Sequence, residues 1–178
     1  GGVFANGAMS ATQVTGAGNS AALGANLAAA SLAPFGSVFA GPVGGTNCSV
    51  SDAVTSGGHN WSTDGSCGLT GTGDTQNGAD PQLGPLGANG GPTMTRLPAI
   101  DSPLVDAIPN GSCSATVPAD QRGAPRPSPA GGACDIGAVE RDHASPTVTL
   151  VTPADGAVYA QDQVVDADYT CADEPGGS

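Results

Sequence analysis

The chain has 178 residues, of which 38% are hydrophobic and only 3% aromatic, so any core must be assembled from small side chains. With 16 acidic residues against four basic ones and a net charge of -12, it lacks the basic patch that binding to nucleic acid or an anionic membrane surface requires. No stretch approaches the roughly 18 apolar residues of a membrane helix, which excludes direct insertion by this segment, and the acidity suits solubility outside the cell.

Gly and Pro make up about a quarter of the chain, a level that fits either low complexity or a fold built on repeated tight turns. The sequence favours turns, because weak self-similarity runs through its first part. Gly1-Gly2-Val3-Phe4-Ala5 aligns with Gly24-Ala25-Asn26-Leu27-Ala28, and Gln13-Val14 with Ser37-Val38. Offsets of about 23 to 24 residues are those of solenoid repeats, in which each unit buries its face only against its neighbours. Residues 1–75 are accordingly predicted to form about three rungs. Short strands centre on Val3-Phe4, Gln13-Val14, Ala25 to Leu27, Ser37 to Phe39, Val50 and Val54, with Val, Phe and Leu inward at period two. The Ala-rich run 21–32 also fits a helix by propensity. Asn6, Asn26 and Asn47 recur at a spacing that suits an Asn stack in one turn, although chance recurrence of a common turn residue accounts for it equally well.

From Asp74 to Glu140 the strand signal thins and Pro multiplies, as expected of a segment that wraps an open sheet edge, with a last strand at 133–139. Five short motifs follow one another here. They are Asp80-Pro81-Gln82-Leu83-Gly84-Pro85-Leu86, Asn89-Gly90-Gly91-Pro92-Thr93, Ser102-Pro103-Leu104-Val105-Asp106-Ala107, Asp120-Gln121-Arg122-Gly123-Ala124-Pro125-Arg126-Pro127 and Cys134-Asp135-Ile136-Gly137-Ala138-Val139-Glu140. In that order they resemble the closing segment of bacterial surface and secreted proteins of the choice-of-anchor, adhesin-like kind, in which a right-handed parallel β-helix ends and leads into a variable anchor. Asn47-Cys48-Ser49, residues 56–61 and residues 64–69 resemble the rungs before that ending. The resemblance implies an all-β fold comprising β-helix rungs over 1–75 and a capping segment over 76–140.

A linker at 141–145 precedes a change of style. Pro146-Thr147-Val148-Thr149-Leu150-Val151 alternates, residues 153–157 read as a turn, and residues 164–171 alternate again. This is similar to the first strands of a bacterial immunoglobulin-like repeat, so 146–178 is expected to be an incomplete one, its sheet left without a partner. Gly1-Gly2-Val3-Phe4 reads like the middle of a repeat, and an export signal and anchor are expected outside this segment.

Five cysteines in an acidic, exported chain read as disulfides, and two His with no C-x-x-C give zinc no support. Cys48 with Cys67 and Cys113 with Cys134 each bracket one Gly-rich excursion, so the local pairing is expected, with Cys171 left over. A thiol nucleophile at Cys67 with His59 as base lacks an orienting third group and an oxyanion motif. Carboxylate chemistry on a polysaccharide would need paired acids or an Arg or Lys base, and the rungs before Asp74 offer only Asp52 and Asp64, with no Arg or Lys before Arg96. Asp166 and Asp168, with Asp162 or Asp173, could ligate Ca²⁺, though alternating Asp on a solvent face explains them better. The sequons at Asn47, Asn60 and Asn110 read as turns. Arg122 and Arg126 are expected to pair with Asp120, Asp135 or carbonyls of the cap.

The sequence therefore predicts a non-enzymatic, secreted or cell-surface stalk or adhesin-like module without catalytic, metal or cofactor residues. Its expected partners are carbohydrate or a host or cell-surface protein. The rival is the tail of a β-helix polysaccharide lyase or glycoside hydrolase whose catalytic rungs lie upstream.

Overall fold

A computed structural model describes residues 2–173. It is all-β, with one short 3₁₀ turn at Asn110–Ser112. The chain first weaves between two small parallel sheets. Strands β1 (Val3–Thr12), β3 (Leu27–Phe35) and β5 (Cys48–Val50) form one, and β2 (Thr15–Ala17), β4 (Val38–Ala40) and β6 (Trp61–Ser62) form the other. Register runs Val3 to Leu27 to Cys48 in the first and Thr15 to Val38 to Trp61 in the second, so each passage lies on the one before it. Two antiparallel pairs follow, β7 (Leu83–Gly87) with β8 (Thr95–Pro98) and β9 (Thr147–Thr152) with β10 (Asp168–Ala172).

The corners between the two parallel sheets need a left-handed backbone, and residues spaced by 23 provide it: Gln13 at φ 51°, Gly36 at 55° and His59 at 54°. Gly36 is also required by space, because a Cβ there would meet Ile108 Cδ1 at 2.9 Å. The corner is tied by Ser37, whose hydroxyl donates to the Ala11 carbonyl while accepting from the Val14 amide. Ser37 N–H donates in turn to Asn60 Oδ1.

Several expectations are corrected here. The strand expected around Ala25 to Leu27 forms, but it begins at Leu27 and runs to Phe35, and the helical alternative over 21–32 is not taken, since Gly24 has a left-handed φ of 57° and the strand bonds β1 on one side and, over 27–29, β5 on the other. Residues 133–139 form no strand; Cys134 makes an isolated bridge to Ile108. Val3 and Phe4 are 51% and 72% exposed rather than inward, as they lie on the outer edge strand. Gln13 is a corner residue and not part of a strand.

The interior between the sheets holds Ala11, Leu27, Ala29, Leu32, Phe39, Cys48, Cys67 and Leu69. A second core lies on the outer face of β4, where Val38 and Ala40 pack with Leu104, Ile108, Cys134 and Ile136. Thus β4 is buried on both faces. The segment after residue 76 is consequently pressed against the side of the second sheet rather than simply wrapped over an open edge. The reason is compositional: the outward residues of that sheet are apolar and need covering.

Candidate functional site

Two buried polar clusters and a set of surface recesses are the places where a ligand could be handled. The first is an amide ladder. Asn19 Nδ2 donates to Asn26 Oδ1 at 2.9 Å, Asn26 Nδ2 to Asn47 Oδ1 at 2.7 Å, and Asn47 Nδ2 to the hydroxyls of Ser62 and Thr63. The expected Asn stack exists with a different first member, for Asn6 lies exposed on β1 and Asn19 takes its place. Asp64 caps the ladder by accepting from the amides of Asn47 and Ser66 and from Ser66 Oγ. Burial works against its ionisation, but these hydrogen bonds outweigh burial and hold its carboxyl below the usual range. Asp74 plays the equivalent part for Asn60 and Gly71.

These bonds dispose of several candidate roles. Asn47 and Asn60 are fully buried with their amide nitrogens engaged, so neither sequon can carry a glycan in the folded chain; Asn110 is exposed and donates to the Gly131 carbonyl. Cys67 is bonded to Cys48 and is not a thiol, while His59 sits edge-on to Phe35 with ring centroids 6.2 Å apart. Cys113 is bonded to Cys134, and Cys171 is free and exposed. Asp52, Asp162, Asp166 and Asp168 are exposed, and among the described residues no group of three or more His, Cys, Asp or Glu is placed to hold a metal ion.

The second cluster is a charge network in the segment 120–141. Arg122 Nε donates to Asp120 Oδ2 at 2.9 Å, and Arg126 Nη1 donates to Glu140 Oε2 at 2.7 Å with both side chains almost wholly buried. Arg126 also reaches the carbonyls of Asp135 and Gly137. Pairing of Arg122 with Asp120 and the bonds of Arg126 to cap carbonyls follow the sequence expectation, whereas the carboxylate that Arg126 takes is Glu140 and not Asp135. Nothing in the local sequence marked Glu140, fourteen residues away, because its role comes from the loop folding back. Burial first, then the neighbouring Asp135 charge, push the Glu140 carboxyl up to about 7 against the pull of Arg126. Burial likewise raises Asp135. Asp120 is held low, since donors from Glu140 and Arg122 overcome its burial.

A raised carboxylate beside two others has the look of an acid–base site, but its bonds point elsewhere. Glu140 Oε1 accepts from the Ser128 amide and Oε2 from the Asp135 amide and Arg126. Asp120 accepts four bonds, from the amides of Arg122, Ala124 and Glu140 and from Arg122 Nε. Asp135 accepts from the amides of Asp106 and Arg141. These carboxylates replace secondary structure as the partners of loop backbone.

The third feature is a set of recesses where the region of β2 meets the flanking segment. One of about 440 Å³ is floored by Ala17, Gly18, Ala40 and Gly41 and edged by Asp80 and Arg96. Another of about 300 Å³ lies beside Gln13, Thr15, Asp120, Gln121 and Arg126. Arg96 donates to the Gly84 carbonyl.

Two intramolecular disulfides fit an oxidising, extracytoplasmic compartment, and among the described residues no helix is long and apolar enough to cross a membrane. No protein family matches the chain. Searches of curated proteins and of solved structures also return no match.

Proposed function

We propose that the chain is the closing portion of a right-handed parallel β-helix belonging to an exported bacterial protein, joined to the start of an immunoglobulin-like repeat, and that it serves as a non-enzymatic stalk or adhesin-like surface module. The alternation of the chain between two parallel sheets, with left-handed corners 23 residues apart at Gln13, Gly36 and His59, supports the helical reading. The observation that carries the functional reading is the use made of the perturbed carboxylates. Asp120, Asp135 and Glu140 each accept two or more backbone amides, so their chemistry is engaged in holding an irregular loop together. A general acid or base would need a free oxygen toward substrate. Localisation at the cell surface or in the medium, and a carbohydrate or surface-protein partner, belong to the same proposal.

The test is turnover of pectic and other acidic polysaccharides, read as unsaturated or reducing ends. The purified chain is expected to release neither. Activity that stays with the chain through successive purification steps would overturn the reading in favour of a lyase or hydrolase.

A further inference from the structure

The four Arg side chains are engaged unequally. Arg122 and Arg126 are held in ion pairs with Asp120 and Glu140, and the Nε atoms of Arg126 and Arg141 are buried. Arg96 on β8 differs. Its Nη1 donates to the Gly84 carbonyl on β7, while Nε and Nη2 make no hydrogen bond and stay open to solvent. Nε–H and the neighbouring Nη2–H point the same way, as the two prongs with which a guanidinium grips a carboxylate. The chain has 16 acidic residues, yet among the described residues no carboxylate oxygen lies within 4.0 Å of an Arg96 nitrogen.

The guanidinium borders a recess of about 360 Å³ whose lining carries no acidic residue. Gly18 helps to keep it uncovered, because a Cβ there would stand 3.3 Å from Nη2. Asp80 edges the adjoining recess of about 440 Å³, and its Oδ1 accepts from the Gln82 amide. Two amides line the 360 Å³ recess with their nitrogens already used: Asn19 Nδ2 donates to Asn26, and Gln121 Nε2 to Thr93 Oγ1. Their oxygens are left to accept. Leu86 and Met94, 57% and 62% exposed, add apolar surface.

We infer that this recess is a binding site for a carboxylate carried on a hydroxylated ring, the chemistry of a hexuronate unit in an acidic polysaccharide. The unused edge of Arg96 fits the two oxygens of a carboxylate side by side. The oxygens of Asn19 and Gln121 call for donors, and ring hydroxyls supply them. Leu86 and Met94 meet the C–H face of the ring. Charge selects a monoanion: Arg96 neutralises one negative charge, whereas a dianion such as phosphate leaves an excess beside a chain of net charge -12. Size separates such a ligand from a single trapped water, whose share of volume is roughly 30 Å³. That the unit is held and not cleaved rests on the proposed non-enzymatic function, to which the site gives a ligand class.

The experiment is a ¹⁵N–¹H titration of the whole chain with the methyl glycosides of glucuronate and galacturonate, with methyl glucoside, acetate and phosphate as controls. At least one uronoside is expected to shift the Arg96 Nε–H and the backbone amides of Gly18 and Asn19 saturably, in the millimolar range or tighter, and each control to bind at least about tenfold more weakly. Arg96→Lys keeps the charge but loses the two-pronged edge, and should weaken binding by about tenfold or more. Should that variant fail to fold, Gln121→Glu, at an exposed position on the recess wall, sets a carboxylate against the ligand and should do the same. Absence of saturable shifts with both uronosides would overturn the site, as would a control binding equally well or undiminished binding in both variants. Unsaturated or reducing ends released from a uronate polymer would overturn the non-enzymatic reading and leave the site standing, so the two fail separately.

Discussion

Strands β4 and β9 are both short and each carries Val beside a larger apolar residue, and their fates differ completely. Val38 and Phe39 are at most 1% exposed, because β4 lies between the inter-sheet core on one face and the Leu104–Ile108–Ile136 cluster on the other. Val148 and Leu150 are 64% and 56% exposed, because among the described residues β9 bonds only β10 and neither face is covered. A two-stranded ribbon buries too little to offset ordering its backbone, which costs about 1–2 kcal/mol per residue. The apolar pattern of a strand is thus a demand for cover, and only the surroundings meet it.

Substitution should expose the difference most sharply at the two strand centres. Phe39→Ala is expected to destabilise the chain by about 4 kcal/mol in urea unfolding, through lost contacts and a cavity, whereas Leu150→Ala should cost under about 0.5 kcal/mol. Equal effects at both sites would mean that β9 is covered after all. The cysteines repeat the contrast. Replacing Cys48 and Cys67 together by Ala should cost about 3 kcal/mol in the chain-entropy account of a loop with a separation of 19 residues, while Cys171→Ser on β10 should leave the midpoint unchanged.

The charge network of 120–141 gives a pH-dependent version of the same comparison. Glu140 titrates near 7 in the folded chain and near the ordinary 4.5 when unfolded, so the folded state holds a proton that the unfolded state has lost. Its contribution is complete below pH 4.5 and is lost as pH rises through 7, by at most about 3 kcal/mol. Asp120, held low, acts in the opposite sense: its contribution is present above its unfolded value and lost as pH falls further. Stability of the sheet region should therefore be greater at pH 5.5 than at pH 8, and fall again in strong acid. Arg126→Met should cost about 2–3 kcal/mol at pH 8 and less at pH 5.5, since Glu140 escapes much of the roughly 3–5 kcal/mol penalty for a broken buried pair by taking up a proton. A pH-independent cost would contradict the assigned partner. The smallest effect belongs to the ribbon itself: removing residues 146–178 should change the unfolding free energy of the remainder by under about 0.5 kcal/mol, and amide exchange in β9 should be much faster than in β3.

How far the sequence could be read depended on the distance over which each choice was made. The density of Gly, Asn, Asp and Pro announced tight turns, and the echo at 23 to 24 residues was visible but one residue out of register, for it set Gln13 against Ser37 where the structure sets Gln13 against Gly36. The amide ladder was visible as an Asn repeat, but its first member was misassigned. Asn6 and Asn26 share a spacing, whereas Asn19 reaches Asn26 only because the chain turns back after β2. Gln13 resembled a strand residue, for nothing local reveals a positive φ at a non-glycine position. The recess beside it left no mark in the sequence at all, as its walls come from residues 13–15, 117–126 and 138.

Composition, turn chemistry and cysteine content by themselves determined an acidic, all-β, disulfide-bearing chain without a membrane helix among its described residues. Those properties follow from each residue's own preferences. Tertiary structure alone decided that the strand begun at Leu27 runs on to Phe35, that Arg126 pairs with Glu140, that the cap segment lies along the side of the second sheet and that β9 stays bare. Each of these is a choice between partners far apart in the chain, settled by which surface is available to be buried against which, and no local propensity records that.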